Sequence, residues 1–89
     1  MGVEHIETSP QFNKAYRKLS KKIKEVAKEK EVIFRTNPYH PSLDTHKLHG
    51  KDADAWSFSI NRRYRIKFMF VGNKAVLFLM VGTHDEVYR

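Results

Sequence analysis

The sequence predicts an α+β fold in which two N-terminal helices pack on one face of a small, mostly antiparallel four-stranded sheet, in the order β-α-α-β-β-β. Residues 12–33 place apolar side chains at helical spacing, residues 56–70 alternate apolar and polar side chains, and residues 75–81 form an almost continuous apolar run. A chain of 89 residues is long enough for one core. We therefore predict a single domain over residues 1–89.

The first half of the chain is predicted to form a strand followed by two helices. Alternation over residues 3–7 predicts a short first strand. Ser9 offers a hydroxyl cap to a helix that begins with a proline, and a second helix is expected to start near Ser20. Asn37-Pro38 should end it, because proline cannot continue the helical hydrogen bonds. The apolar stripe of the two helices consists of Phe12, Tyr16, Leu19, Ile23, Val26 and Ile33.

The second half predicts a loop and three strands. Residues 37–55 contain turn residues, among them Gly50-Lys51-Asp52, and are interpreted as a loop. Strands are expected over residues 56–60, 64–70 and 75–81, with a tight turn at Gly72-Asn73 between the last two. The apolar run of the last strand predicts a central strand that is buried on both faces.

The charge of the chain is strongly basic and concentrated in the helices. Seventeen Lys and Arg against ten Asp and Glu give a net charge of +7. Residues 13–30 hold eight basic and two acidic residues, so most of this charge lies there. A solvated helix face is one interpretation. A surface that contacts phosphate backbones is the other, because like charges four residues apart repel and do not form stabilising pairs.

Several features argue for a location in the cytoplasm. The chain has no cysteine, although small secreted domains usually depend on disulfides. The first ten residues lack the basic and apolar regions of a signal peptide, and no apolar run reaches the roughly 20 residues of a membrane span. We therefore expect a cytoplasmic protein without a membrane partner.

Polar and charged side chains cluster on the last strands and the tail. Strand alternation places Arg65 and Lys67 opposite the apolar face, together with the serines of the preceding strand, and His84 and Tyr88 follow the last strand. RNA cleavage by the ribose 2′-hydroxyl needs a base, a fixed cation and an acid. Arginine suits the cation, and histidine suits either proton-transfer role.

A metal site and a structural role for the tail are the alternatives at these residues. The chain contains His40, His46, His49 and His84, but a His-x2-His spacing without cysteines is not a strong zinc signal. We predict no metal and no cofactor. Tyr88 is also compatible with a ring that merely packs on the sheet edge.

These residues resemble the RelE/ParE superfamily, the toxins of type II toxin–antitoxin pairs, over almost the whole chain. Residues 48–50, 56–61 and 64–66 resemble the YoeB branch, and residues 44–50 resemble the YafQ branch. The ending, residues 82–88, resembles YafQ through Gly-Thr-His and RelE through Glu-Val-Tyr. The resemblance implies a RelE-like fold.

The resemblance also implies a metal-independent, ribosome-dependent endoribonuclease that cleaves mRNA in the ribosomal A site and inhibits translation. Arg65 matches the arginine that stabilises the phosphate, His84 and His46 match residues of proton transfer, and Tyr88 matches the aromatic that orients the nucleotide. The expected RNA-binding residues are Lys67, Arg62, Arg63, Lys14, Lys18, Lys21 and Lys22. The implied partners are an acidic antitoxin, the ribosome with its 16S rRNA, and mRNA; operator DNA would be bound only through the antitoxin complex.

The chain also departs from these relatives, and the general base stays open. RelE has lysines where this chain has Ser57 and Ser59, and the catalytic glutamate of YoeB has Ser42 as its nearest match, with Asp44 close by. Met80 and Val81 fill the stretch where RelE and YafQ carry an arginine. Two other functions are compatible with the sequence: a ParE-like inhibitor of DNA gyrase without nuclease activity, and a degenerate toxin that only binds RNA or antitoxin.

Overall fold

The computed structural model describes residues 2–50 and 54–88 and shows a five-stranded sheet with helices. The strands are β1 (His5–Thr8), β2 (His46–Lys47), β3 (Trp56–Ser59), β4 (Tyr64–Gly72) and β5 (Ala75–Thr83). The helices are α1 (Pro10–Arg17), α2 (Lys21–Thr36) and α3 (His84–Val87), and residues 41–43 form a 3₁₀ turn. The strand order is β1-β5-β4-β3-β2, with β1 parallel to β5 and the other neighbours antiparallel.

The α+β class and the two long helices are confirmed: the first starts after its predicted cap, Ser9, and the second starts after Ser20, near which the two helices were expected to join. Ser9 Oγ accepts a hydrogen bond from the Phe12 N–H at 3.0 Å, and Ser20 Oγ accepts from the Ile23 N–H at 3.2 Å. Each hydroxyl therefore satisfies one of the amides that a helix start leaves unpaired. Helix α2 ends at Thr36, with Asn37 as its C-cap, as the following proline predicts. Among the described residues, no helix is long and apolar enough to cross a bilayer.

The prediction of four strands is wrong, because the segment interpreted as a loop contains β2. This strand pairs with β3 through only two residues, which is too short for alternation to be visible in the sequence. The predicted strand over residues 3–7 is observed at residues 5–8. A third helix, α3, forms in the tail after the last strand, where no helix was predicted. The Lys51 and Asp52 of the predicted turn lie outside the described residues.

Four phenylalanine rings join α2 to the sheet. Phe34 stacks on Phe58 of β3 at a ring-centroid distance of 4.6 Å and meets Phe68 and Phe78 edge-on at 5.0 and 5.7 Å. All four rings are at most 2% exposed. Burial of such rings is among the largest favourable terms in a small core. Helices α1 and α2 therefore cover one face of the sheet, as predicted.

An irregularity between β4 and β5 sets which side chains of β5 face the helices. The register changes between Lys67, which pairs with Met80, and Phe68, which pairs with Phe78. Phe78 and Val81 consequently both lie on the helix side and are buried, while Met80 keeps partial exposure on the other side. The prediction that this strand is buried on both faces is wrong, because α1 and α2 cover only one face and Leu77, Leu79 and Met80 keep partial exposure.

Candidate functional site

The face of the sheet opposite the helices carries the polar residues that strand alternation predicts. Ser57 lies directly across from Lys67, and Ser59 lies directly across from Arg65. Arg65 also pairs with Gly82 of β5, whose lack of a side chain lets the Glu86 side chain pack closely against it. The predicted placement of Arg65, Lys67 and the two serines on one face is confirmed.

Arg65 lies at the floor of this face and is only 7% exposed. Its Nε donates to Ser57 Oγ at 3.1 Å, and its Nη2 donates to the Asp44 carbonyl oxygen at 2.8 Å. Its Nη1 lies 3.5 Å from the Asp44 carboxylate, whose side chain is 77% exposed. The two short bonds fix the plane of the guanidinium, whereas the long contact to a solvent-exposed carboxylate neutralises its charge weakly.

Asp44 brings the loop before β2 into contact with β4. It closes the 3₁₀ turn in the left-handed conformation, with φ of 47°, which aspartate tolerates better than most residues. Its carbonyl oxygen meets Arg65 Nη2 and lies 3.1 Å from His46 Nδ1. One backbone oxygen therefore positions both the arginine and the histidine.

Helix α3 positions the C-terminal pair of predicted site residues. Thr83 and Glu86 form a capping box: the Glu86 carboxylate accepts from the Thr83 N–H at 2.7 Å, and the Thr83 hydroxyl accepts from the Glu86 N–H at 3.4 Å. The helix turns Tyr88 back over the sheet. The His84 and Tyr88 rings meet edge-on with centroids 4.2 Å apart.

Tyr88 is the point where the site residues meet. Its phenolic oxygen lies 2.6 Å from Ser57 Oγ and 2.9 Å from His46 Nε2. His46 is exposed, and together with Tyr88, Leu48 and His49 it lines an open hollow of about 210 Å³. The structure therefore brings together His46, Arg65, His84 and Tyr88, which come from three separate segments.

The predicted RNA-binding residues lie on several different elements. Arg62 and Arg63 are exposed in the turn before β4, where they line a shallow depression with His84. Lys14 of α1 and Lys18, the C-cap residue of that helix, line a cleft of about 420 Å³ that ends against Glu86 of α3. The remaining members are half-buried Lys67 on the site face and exposed Lys21 and Lys22 in the first turn of α2.

Two residues of the cluster were not assigned a role from the sequence. Ser57 and Asp44 were noted only because they depart from the relatives' patterns. A serine in an alternating strand carries no local signal that its hydroxyl is buried, and a left-handed aspartate shows only as a turn residue. The capping box did have a signal, Thr-x-x-Glu after an apolar run.

The described part of the chain holds no ligand cluster for the alternative of a metal site. No three His, Cys, Asp or Glu side chains converge among residues 2–50 and 54–88. The ring of His40, one of the four candidate ligands, accepts a hydrogen bond from the Ser42 N–H at 3.1 Å. That ring therefore has a structural partner.

Solved structures show the same architecture. YafQ from E. coli superposes with a TM-score of 0.79 at 18% identity, covering 97% of this chain and 100% of that one. The E. coli DinJ–YafQ toxin–antitoxin complex gives 0.76 at 17% identity, with 100% of both chains covered. The chain has the RelE fold. No model of a known protein family and no curated protein matches its sequence.

Other structures with the RelE fold are equally divergent in sequence. The YoeB/ParE toxin from Agrobacterium tumefaciens gives a TM-score of 0.78 at 14% identity, covering 91% of this chain and 99% of that one. The archaeal RelE–RelB complex from Pyrococcus horikoshii gives 0.71 at 21% identity, covering 93% and 96%. The RelE fold is thus shared over nearly the full length, and the site has to be argued from its own residues.

Proposed function

We propose that this protein is the toxin of a type II toxin–antitoxin pair and cleaves mRNA in the ribosomal A site. The observation that carries the proposal is the meeting of His46, Arg65, His84 and Tyr88 on the open face of the sheet. Proton-transferring side chains beside a fixed cation are what transesterification by the ribose 2′-hydroxyl requires. A protein that only binds DNA gyrase has no need of such a set.

Arg65 is the residue that holds the scissile phosphate in this proposal. Two of its donors are committed to Ser57 and to the Asp44 backbone, so the guanidinium is oriented before substrate arrives. The third nitrogen of the guanidinium, Nη1, lies 3.5 Å from the exposed Asp44 carboxylate. A phosphate oxygen replaces that carboxylate on Nη1, and charge that develops in the transition state then meets a preorganised cation. Lys67 assists from the same face.

The two histidines divide the proton transfers. His46 takes the proton that the 2′-hydroxyl loses as its oxygen attacks the phosphorus. His84, in its protonated form, gives a proton to the 5′-oxygen that leaves. The products are a 2′,3′-cyclic phosphate and a free 5′-hydroxyl, so the reaction consumes no water and needs no metal. The exposure of both rings allows substrate to reach them.

The basic helices supply the contact with ribosomal RNA. Helix α2 begins with Lys21 and Lys22 and has no acidic residue in its first turn. Cations at this end interact unfavourably with the helix dipole and therefore lower the stability of the helix. Attraction to phosphate backbones is a function that accounts for this placement.

An acidic antitoxin is the proposed protein partner. The DinJ–YafQ and RelE–RelB structures are complexes of proteins with this fold. The net charge of +7 favours an acidic chain that covers the basic surface and the site. Binding of operator DNA is then expected only for the toxin–antitoxin complex.

Induction in growing cells tests the proposed function. Wild type, Arg65→Ala and His84→Ala are induced, growth is followed, and mRNA 5′ ends are mapped by primer extension. Wild type is expected to arrest growth and to create new 5′ ends within codons, and both variants are expected to lose these effects. Arrest with DNA damage but without new ends would establish the gyrase alternative. A His84→Ala variant that cuts at the wild-type rate would refute the proposed role of His84.

A further inference from the structure

The turn between β3 and β4 carries two exposed arginines, Arg62 and Arg63, on a fixed backbone. Asn61 Oδ1 accepts from the Arg63 N–H at 2.9 Å and from the Tyr64 N–H at 2.8 Å. The Ser59 hydroxyl donates to the Asn61 carbonyl oxygen at 2.5 Å. An asparagine side chain that binds the backbone two residues on holds a turn in one conformation. The backbone under the two arginines is therefore set before any ligand binds.

This turn is joined to the candidate site through a backbone hydrogen bond. The His84 N–H donates to the Arg63 carbonyl oxygen at 3.2 Å. Arg62, Arg63, Thr83, His84 and Asp85 together line a shallow depression at this end of β4 and β5. The two guanidinium groups thus adjoin the histidine that the proposed reaction uses as its acid.

The described part of the chain does not neutralise the positive charge of this turn. The ion pairs among residues 2–50 and 54–88 include neither Arg62 nor Arg63. The carboxylate of Asp85, in the same depression, lies 3.9 Å from His84 Nδ1 instead. Two neighbouring cations repel each other, and a bound anion relieves that repulsion. Because guanidinium groups match phosphate oxygens in charge and geometry, a phosphate group suits this depression.

The direction of the RNA strand follows from the proposed reaction. His84 gives its proton to the 5′-oxygen that leaves, and this oxygen belongs to the nucleotide after the cut. That nucleotide therefore lies on the His84 side of Arg65, which holds the scissile phosphate. Its own 3′-phosphate is the next anion along the strand, and Arg62 and Arg63 are cations that adjoin His84.

We infer that Arg62 and Arg63 form a second phosphate subsite, which binds the phosphate that follows the scissile one in the RNA strand. The place of this subsite in the strand rests on the proposed nuclease function, whereas its affinity for a neighbouring phosphate does not require cleavage. Phosphates held on Arg65 and on this turn fix the strand on both sides of the oxygen that leaves. Contacts to phosphate carry no base information, so the subsite holds RNA of any sequence.

Binding to the free protein tests the subsite without cleavage. The first probe is a trinucleotide of 2′-deoxyribose, which lacks the attacking hydroxyl and has two phosphates. In the second probe an uncharged methylphosphonate replaces the phosphate nearer the 3′ end. We expect wild type to bind the first probe about tenfold more tightly than the second, because charge-assisted hydrogen bonds are lost. Arg62→Ala/Arg63→Ala should bind both probes equally.

Arg17→Ala/Arg35→Ala is the matched control for the loss of charge. It removes two cations from exposed helical positions outside the depression, so the difference between the two probes should remain. Three results would overturn the subsite: equal affinity of wild type for the two probes, an undiminished difference in Arg62→Ala/Arg63→Ala, or no binding of the first probe to wild type at millimolar concentration.

Cleavage on the ribosome tests the place of the subsite in the strand. The mRNA carries a methylphosphonate either at the phosphate after the scissile one or at the phosphate before it. We expect the methylphosphonate after the cut to slow wild type about tenfold and to leave the rate of Arg62→Ala/Arg63→Ala unchanged. The methylphosphonate before the cut should slow both proteins by the same factor. If it slows only wild type, the strand runs in the opposite direction and the inference is wrong.

The two experiments separate the subsite from the proposed function. If wild type binds the probes as expected but does not cut mRNA, the nuclease proposal fails while the phosphate subsite stands. If wild type cuts mRNA and loses no rate with the methylphosphonate after the cut, the inference alone fails.

Discussion

The phenolic oxygen of Tyr88 lies 2.9 Å from Nε2 of His46, although the two residues are 42 positions apart in the sequence. This contact joins the residue that ends α3 to the first residue of β2. Since Tyr88 also packs edge-on against His84, one side chain connects the two histidines proposed for proton transfer. Changes at Tyr88 therefore separate ring packing from hydrogen bonding.

Tyr88→Phe should keep the ring contact with His84 and lose both hydrogen bonds of the hydroxyl. Because the substitution removes the hydrogen-bond partner of His46 Nε2, we expect A-site cleavage to fall about 10²-fold while ribosome binding is retained. Cleavage rate and ribosome cosedimentation measure the two effects. Cleavage at the wild-type rate would show that the hydroxyl takes no part in the reaction.

Arg65→Lys should be far from conservative, because lysine cannot reproduce two short bonds at fixed angles. The substitution leaves Ser57 Oγ and the Asp44 carbonyl short of donors, so we expect a loss of about 1–3 kcal/mol in the free energy of unfolding. Cleavage should fall about 10²-fold or more. Urea unfolding and mRNA cleavage measure these changes.

Arg62→Lys is the matched control for that substitution. Arg62 is exposed in the turn before β4, so the exchange should leave stability within about 0.5 kcal/mol of wild type. Equal effects of the two substitutions would contradict a special role for the Arg65 guanidinium.

The capping box of α3 should control the site without touching substrate. Thr83→Ala removes a helix cap, which costs about 0.5–2 kcal/mol locally. Gly82→Ala should act on the same element, because its Cβ would lie 2.7 Å from Glu86 Oε1 and displace that side chain. We expect faster amide hydrogen exchange at Tyr88, whose N–H donates to the His84 carbonyl, and slower cleavage.

Asp85→Ala is the control for the capping box. Asp85 lies in the same turn with its side chain 90% exposed and takes no part in the box. Its removal should change exchange at Tyr88 only slightly. If Thr83→Ala and Asp85→Ala behave alike, the box does not hold Tyr88 in place.

Local patterns predicted the two long helices, the cap Ser9 and the face on which Arg65 lies, because each depends on neighbours a few positions away. The bulge between β4 and β5 and the two-residue strand β2 leave no comparable periodicity. The meeting of His46 and Tyr88 depends on a left-handed Asp44 and on the length of a loop, which residue types do not specify. The family resemblance indicated both residues as site residues, but only the structure shows that they are in contact.

The phenol of Tyr16 predicts a loss of stability at high pH. Partial burial, with a smaller contribution from the Glu31 carboxylate, raises the pKa of Tyr16 above its usual value of about 10. The folded state therefore favours the protonated phenol. This contribution is complete below about pH 10 and is lost as the pH rises from there through the folded-state pKa.

Tyr16→Phe should remove the loss of stability that the Tyr16 phenol causes at high pH, and Glu31→Gln should reduce it. The measurement is the urea midpoint at about pH 9 and about pH 11, expressed as the difference from wild type so that the titration of lysines cancels. We expect Tyr16→Phe to gain on wild type at the higher pH. An equal difference at both pH values would show that Tyr16 does not contribute.

The double substitution Lys21→Glu/Lys22→Glu should stabilise the fold and weaken ribosome binding. The first turn of α2 holds two cations and no acid, so charge reversal there favours the helix dipole by about 0.3–1 kcal/mol per residue. Fewer phosphate contacts should weaken ribosome binding and flatten its dependence on salt. Lys28→Glu, exposed in the middle of the same helix, lies beyond the reach of the terminal dipole and should give no such stabilisation. If the double variant is more stable but binds ribosomes as wild type does at every salt concentration, these lysines only solvate the helix. Weaker binding with a flatter salt dependence would instead place the RNA at the start of α2.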